Sequence, residues 1–208
     1  MIVPVKRLAE AKSRLSDELA PSARHDLVRA MLADVLAAAR ESAVGSLLLV
    51  SADDAYDDIA AQAGAVRVAD AGTGYNQAVA LGLAHAQNAG AASALVVPAD
   101  QPRATASDIR EASAALAGLS VVVVRAHDDG TGALGLRPPT ALEPAFGPRS
   151  ADAHLAAAER AGLTAATLAL PSLAYDIDML ADLERVEPPL GPATRAWVET
   201  LREEPPLR

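Results

Sequence analysis

Three carboxylates sit where they could work together. Asp100 follows the apolar run Ala94–Pro98 and precedes Pro102, which puts one acid at the C-terminal end of a buried strand. An Asp there can hold Mg²⁺, and equally can cap a turn. Asp176 and Asp178 flank Ile177. In an extended segment both would point to one face, where like charges repel unless a cation lies between them. The competing reading has Asp178 capping a helix over Met179–Val186, with Asp176 in water. Convergence of Asp100 on the pair would favour the metal.

Three cations form a second constellation. Lys6, Lys12 and Arg14 follow the first apolar run, at the strand end where open α/β sheets bind ligands. Such a loop could clamp a triphosphate, or could be a solvated loop making surface ion pairs. The acidic group Asp53, Asp54, Asp57 and Asp58 reads more simply, as the start of a helix whose dipole favours negative charge.

Alternating strands and helices must position these groups. Strands are expected at Met1–Val5, Ser46–Ser51, Ala65–Ala69, Ala94–Pro98, Leu119–Val124 and Thr164–Leu170. The uninterrupted runs Leu47–Val50 and Val121–Val124 suit strands buried on both faces of a parallel sheet. Apolar residues at Val28, Met31, Leu32, Val35, Leu36 and Ala39 trace one helix face after Pro21. Further helices are expected at Asp54–Ala63, Tyr75–Asn88, Ser107–Ala117 (capped by Ser107) and Ser150–Ala161. The segment His127–Arg149, rich in Gly and Pro, predicts a long irregular loop. The tail Glu203–Arg208 is expected to fray. The class is α/β with a mainly parallel sheet, in one domain over 1–208.

Composition narrows the function. The chain has 208 residues, 51% of them hydrophobic but only 2% aromatic, so its core rests on Ala, Val and Leu. A formal charge of −9 argues against non-specific nucleic-acid binding. With no cysteine, thiolate nucleophiles, disulfides and cysteine-ligated zinc are excluded. No run is apolar enough for a membrane span, and a cytoplasmic location is expected. There is no P-loop, and Gly72-Thr73-Gly74 lacks the third glycine of a dinucleotide loop. The histidines His25, His85, His127 and His154 are scattered and read as exposed or capping residues.

An ordered set of motifs resembles the guanylyltransferase family of coenzyme F420 biosynthesis. It comprises Val3–Lys6 with Ala11-Lys12-Ser13-Arg14-Leu15, Gly74-Tyr75-Asn76, Pro98-Ala99-Asp100, Gly130-Thr131, Phe146-Gly147-Pro148 with Ser150, and Asp176-Ile177-Asp178. The resemblance implies a three-layer, Rossmann-like nucleotidyltransferase fold of the nucleotide-diphospho-sugar transferase type, with one strand reversed. It implies GTP and phosphoenolpyruvate as substrates, or alternatively 2-phospho-L-lactate or 3-phosphoglycerate as acceptor. Carried over by position, Asp100, Asp176 and Asp178 are the Mg²⁺ ligands. Lys6, Lys12 and Arg14 are the catalytic phosphate clamp, Thr131, Gly147 and Ser150 bind the acceptor, and Asn76 lies on the nucleotide side. Backbone N–H groups near Gly147 and Ser150 are expected to cradle the acceptor anion. The product would pass to the transferase that follows in the pathway. The chain departs from the family pattern at Gln101, Arg103, Gly132 and Met179-Leu180, and Arg103 is expected to face solvent. The rival readings are a nucleotidyltransferase for molybdopterin or a sugar phosphate, and a non-catalytic nucleotide binder.

Overall fold

The computed structural model describes residues 1–185 and 187–203. Seven strands form one sheet: β1 (Ile2–Pro4), β2 (Leu48–Ser51), β3 (Val66–Ala69), β4 (Ala94–Val96), β5 (Val121–Arg125), β6 (Thr131–Leu136) and β7 (Ala165–Leu168). Their order is β3-β2-β1-β4-β6-β5-β7, with β6 antiparallel to both neighbours and every other pairing parallel. This is the α/β sheet with one reversed strand that the motifs imply. The helices are α1 (Pro21–Ser42), α2 (Asp57–Ala63), α3 (Tyr75–Asn88), α4 (Ala106–Ala115), α5 (Ser150–Arg160) and α6 (Pro192–Glu203).

Successive strand residues point to opposite faces, so the sheet separates two cores. Val3, Leu49 and Leu95 pack with the stripe of α1 (Leu27, Met31, Val35), with Ile59 of α2 and with Ile109 of α4. Ile2, Val50, Val96 and Val123 pack on the other face with Val79 and Leu83 of α3 and Ala151 of α5. A Cβ at Gly82 of α3 would fall 2.7 Å from Ile2 Cγ2, so this helix approaches β1 as only glycine permits.

Four expectations are corrected. First, His127–Arg149 is not one loop but contains β6, all of whose residues are buried. Its glycines hid it, yet packing demands them. A Cβ at Gly132 would lie 1.8 Å from the Leu173 carbonyl oxygen, and one at Gly135 would lie 3.1 Å from Leu116. Second, α4 is capped by Thr105, whose side chain accepts from the Asp108 N–H, rather than by Ser107. Third, the stretch after Asp178 forms only a short 3₁₀ turn, Leu180–Glu184. The expected fraying at 204–208, like residue 186 of the expected helix, lies outside the described residues. Fourth, α6 has no counterpart among the expected elements.

The start of α6 depends on a distant acid. Buried Asp34 of α1 accepts from the N–H groups of Ala193 and Thr194 at 2.9 and 2.8 Å. Gly191 leaves room for it, since a Cβ there would come within 2.3 Å of Asp34 Cγ. Asp34→Ala strands both amide donors and is expected to cost about 2–3 kcal/mol. A urea midpoint indistinguishable from that of the parent chain would contradict this role.

Candidate active site

The C-terminal ends of β1 and β4 form the floor of the site. Beyond β1 the chain makes two 3₁₀ turns, Leu8–Glu10 and Ser13–Leu15, and between them Lys12 adopts a left-handed backbone with φ 51°. The acidic helix start anchors this basic loop. Asp53 accepts from the Leu8 N–H at 3.0 Å, and the Tyr56 hydroxyl donates to the Lys6 carbonyl at 2.9 Å. Asp53 also accepts from the Ala55 N–H in its own turn, so the simple helix-start reading holds and acquires a second use.

Asp100 follows β4, and the Ile177 N–H donates to its carbonyl oxygen at 3.1 Å. That single backbone bond draws Asp176 and Asp178 to Asp100, while Ile177 is driven into the core with no exposure. One carboxylate oxygen from each of the three acids lies within 4.8 Å of the others. Asp178 does not cap the turn that follows. Asp182 accepts the N–H groups of Asp178 and Met179 instead, which leaves the Asp178 carboxylate for the cluster.

The basic loop faces these acids. Lys12 Nζ donates to Asp100 at 2.7 Å and to Asp178 at 3.0 Å, and Arg14 donates to Asp178 at 2.5 Å. Burial by itself would depress the Lys12 ammonium, but the charges of Asp100 and Asp178 outweigh it and hold the pKa above its usual value. Asp178 is likewise half-buried, yet Lys12 and Arg14 keep its carboxyl below the usual range. Asp176 has weaker help, since Lys12 acts on it without a hydrogen bond and His127 Nδ1 stands 3.6 Å from its Oδ1. Burial, then the charges of Asp100 and Asp178, push its carboxyl up to about 6. Its buried Oδ1 has no hydrogen-bond partner among the described residues. A set of three carboxylate oxygens with one left unpartnered fits a hard divalent cation such as Mg²⁺.

Two clefts meet at this cluster. One, of about 330 Å³, is lined by the basic loop, Met31 and Tyr75. The other, of about 390 Å³, is lined by Thr131, Phe146, Gly147 and Ser150. Asp100, Asp178, Lys6, Arg14 and Tyr75 border both. The reversed strand makes this possible. Because β6 runs antiparallel to β4, its first residue, Thr131, lies at the edge where β4 ends.

Several residues have jobs that sequence patterns did not reveal. Asn76, expected beside the nucleotide, instead engages the loop at Phe146. Its amide donates to the Phe146 carbonyl at 3.0 Å and accepts the Phe146 N–H at 2.8 Å. The N–H groups of Ser150 and Ala151, expected to cradle an anion, already donate to Gly147 and Asp129 carbonyls. The Ser150 hydroxyl remains the polar group that α5 offers the cleft. Arg103 does not face solvent. It is 1% exposed, and its guanidinium donates to the carbonyls of Asp182 and Pro188, tying the segment after Asp178 to the turn that follows Asp100. His154 is neither exposed nor a cap but completely buried, bonded to Thr131 at 3.0 Å and to the Ala145 N–H at 2.9 Å. Its spacing from Ser150 on one face of α5 was the available signal.

Burial pushes the His154 pKa down to about 4, against roughly 6.5 for an unperturbed histidine. The unfolded chain therefore binds a proton that the folded one refuses as pH falls from about 6.5 towards 4, and stability drops across that window. The loss is on the order of 3 kcal/mol. The His154→Gln variant lacks this titration. Urea unfolding at pH 7 and pH 4 is expected to show the parent chain losing more stability than the variant by about this amount, and parallel losses would contradict it.

Comparison with known proteins gives a family match and relatives in fold. The family model described as "Guanylyl transferase CofC like" matches residues 1–187. The chain is 43% identical over 188 residues to the phosphoenolpyruvate guanylyltransferase of Sphaerobacter thermophilus, covering 89% of this chain and 90% of that one. It is 40% identical to the enzyme of the same name from Rubrobacter xylanophilus, covering 89% and 92%. Among solved structures, a Desulfovibrio desulfuricans protein described as a nucleotide-diphospho-sugar transferase superposes with a TM-score of 0.79 over 97% of this chain and 94% of that one, at 17% identity. A cytidylyltransferase from Leptospira borgpetersenii gives 0.59 over 98% and 94%, at 10% identity. At such identities these two show the fold alone. No helix among the described residues is long and apolar enough to cross a membrane.

Proposed function

Since the chain belongs to the family of CofC-like guanylyl transferases, we propose that it transfers GMP from GTP to the phosphate of phosphoenolpyruvate in coenzyme F420 biosynthesis. The products are enolpyruvyl-2-diphospho-5′-guanosine and pyrophosphate. The observation that carries this reading is the acidic cluster at the seam between a cation-lined cleft and a hydroxyl-lined one.

An acceptor phosphate oxygen attacks the α-phosphorus of GTP, and the bond from that phosphorus to the bridging oxygen of the pyrophosphate breaks. The attacking oxygen is already ionised near pH 7, so no general base is required. Repulsion between two anions is the main barrier. Asp100, Asp176 and Asp178 would hold Mg²⁺, which when bound neutralises phosphate oxygens and lets the reactants approach. Lys6, Lys12 and Arg14 stabilise the charge that grows on the departing pyrophosphate. Thr131 and Ser150 receive the acceptor, and the loop at Gly147 borders it. Asn76 keeps that loop in place through Phe146. Catalysis is then alignment plus electrostatics. The product carries a reactive diphosphate and would pass to a transferase that consumes it.

The test is pyrophosphate release with each of the four nucleoside triphosphates, paired in turn with phosphoenolpyruvate, 2-phospho-L-lactate and 3-phosphoglycerate. Release is expected with GTP and phosphoenolpyruvate above all other pairs. Silence with every acceptor, or a preference for another nucleotide, would overturn the proposal.

A further inference from the structure

Behind the acceptor cleft lies a buried chain of polar groups whose hydrogen-bond directions can be worked out from one end. The Ala145 N–H can only donate, so His154 Nε2, 2.9 Å away, must accept through its lone pair. The imidazole is therefore neutral and carries its proton on Nδ1. Nδ1 lies 3.0 Å from Thr131 Oγ1, which must then accept. Thr131 Oγ1 lies 2.9 Å from Ser150 Oγ. Two hydroxyls bring two protons. One lies between Thr131 and Ser150, and the other, with no further acceptor among the described residues, is left for the cleft that both hydroxyls line.

The opposite tautomer would reverse this sense. Nδ1 would accept the Thr131 proton, Thr131 would accept the Ser150 proton, and both hydroxyls would present only lone pairs to the cleft. An anionic acceptor would then be repelled where it is now offered a donor. On the reading that this cleft takes the phospho-acid, we propose that His154 is a positioning residue that makes the Thr131–Ser150 pair a hydrogen-bond donor for the acceptor's phosphate or carboxylate. The ring is held in place for this task. Phe146 packs edge-on against it with centroids 5.3 Å apart, and Tyr75 packs against Phe146 at 5.5 Å. His154 thereby ties the orientation of the two hydroxyls to the position of the 145–147 loop that borders the same cleft.

The experiment compares the parent chain with His154→Phe, which removes both ring nitrogens, and His154→Asn, which returns an amide N–H near the Nδ1 position. Phosphoenolpyruvate binding is measured by calorimetry and, separately, KM is measured for phosphoenolpyruvate and for GTP. His154→Phe removes the N–H that fixes the Thr131 hydroxyl, leaves both hydroxyls free to rotate, and is expected to weaken phosphoenolpyruvate in both measurements by about tenfold, on the scale of one hydrogen bond. GTP should stay within about twofold, and His154→Asn should regain most of the loss. Equal defects in Phe and Asn variants, or a parallel rise in the GTP KM, would mean a merely structural role and overturn the proposal. Binding that depends on His154 without pyrophosphate release would keep it and sink the reaction instead. If the Phe variant does not fold, ¹⁵N NMR of the parent imidazole decides: a protonated Nδ1 and bare Nε2 are expected, and a proton on Nε2 overturns the proposal.

Discussion

Asp176→Asn is expected to lower kcat/KM for guanylyl transfer about a thousandfold, equivalent to roughly 4 kcal/mol of transition-state stabilisation. The folded chain should survive the change intact. Asn has the shape of Asp, and the carboxylate it replaces is poorly served in the fold. Asp176 has no bond from Lys12 or Arg14, has His127 Nδ1 only at 3.6 Å, sits among two like charges, and has its carboxyl pushed up to about 6 by burial and those neighbours. A group so placed contributes little to folding in its charged form. Its value lies in what it can bind. Thermal unfolding without divalent cations should therefore show the variant as stable as the parent or slightly more so. Calorimetry should show weakened binding of Mg²⁺ or Mn²⁺ in the presence of GTP. Turnover like that of the parent chain would remove Asp176 from the site and with it the three-carboxylate centre.

Lys12→Met is the second large effect and has the opposite signature. Met keeps the length of the side chain and discards the ammonium. Lys12 is nearly buried and bridges Asp100 and Asp178, so its loss leaves Asp100 with no ion-pair partner among the described residues and Asp178 with only the exposed Arg14 bonded to it. Breaking an ion pair in this setting removes the compensation for a desolvated charge. Without divalent cations the variant should unfold at a lower temperature than the parent. Added Mg²⁺ should stabilise it more than the parent, because the ion no longer competes with an ammonium for the same oxygens. On the proposed reaction kcat/KM should fall about a hundredfold, since the cation-lined cleft has lost a positive charge for the departing pyrophosphate. A Met variant with parent-like stability in chelator, or with parent-like turnover, would contradict this account of Lys12.

The two predictions separate what each group does. On the proposed reaction, the acid costs the fold something and serves the chemistry, whereas the lysine serves both. Asp34 and Arg103 serve the fold, one by starting α6 and the other by tying down the chain that follows Asp178. His154 stands between these classes, buried like a core residue yet joined to hydroxyls that line the cleft.

Strands β1, β2, β4 and β5 and helices α1, α3 and α5 were legible because hydrophobic periodicity is a local property of the backbone. The candidate acids and cations were legible for a related reason. Asp100 and Lys6 lie just beyond apolar runs, where a strand ends and a ligand edge begins, and Asp176 and Asp178 were marked by their spacing about Ile177. Strand β6 was not, because its glycines weaken the strand pattern and are explained only by the Leu173 carbonyl and the Leu116 side chain that crowd them. Arg103 and His154 were misjudged, and the bond of Asn76 to Phe146 went unseen, for one cause. A polar side chain looks exposed until the fold brings it a partner, and their partners come from other elements of the fold. Lys12 meets Asp100 across 88 positions and Asp178 across 166. Local pattern determined which residues could act and on which elements they ride. Strand order, the reversal of β6 and the bond from Ile177 to Asp100 decided which of them meet, because distances between remote residues are set by packing and register rather than by spacing along the chain.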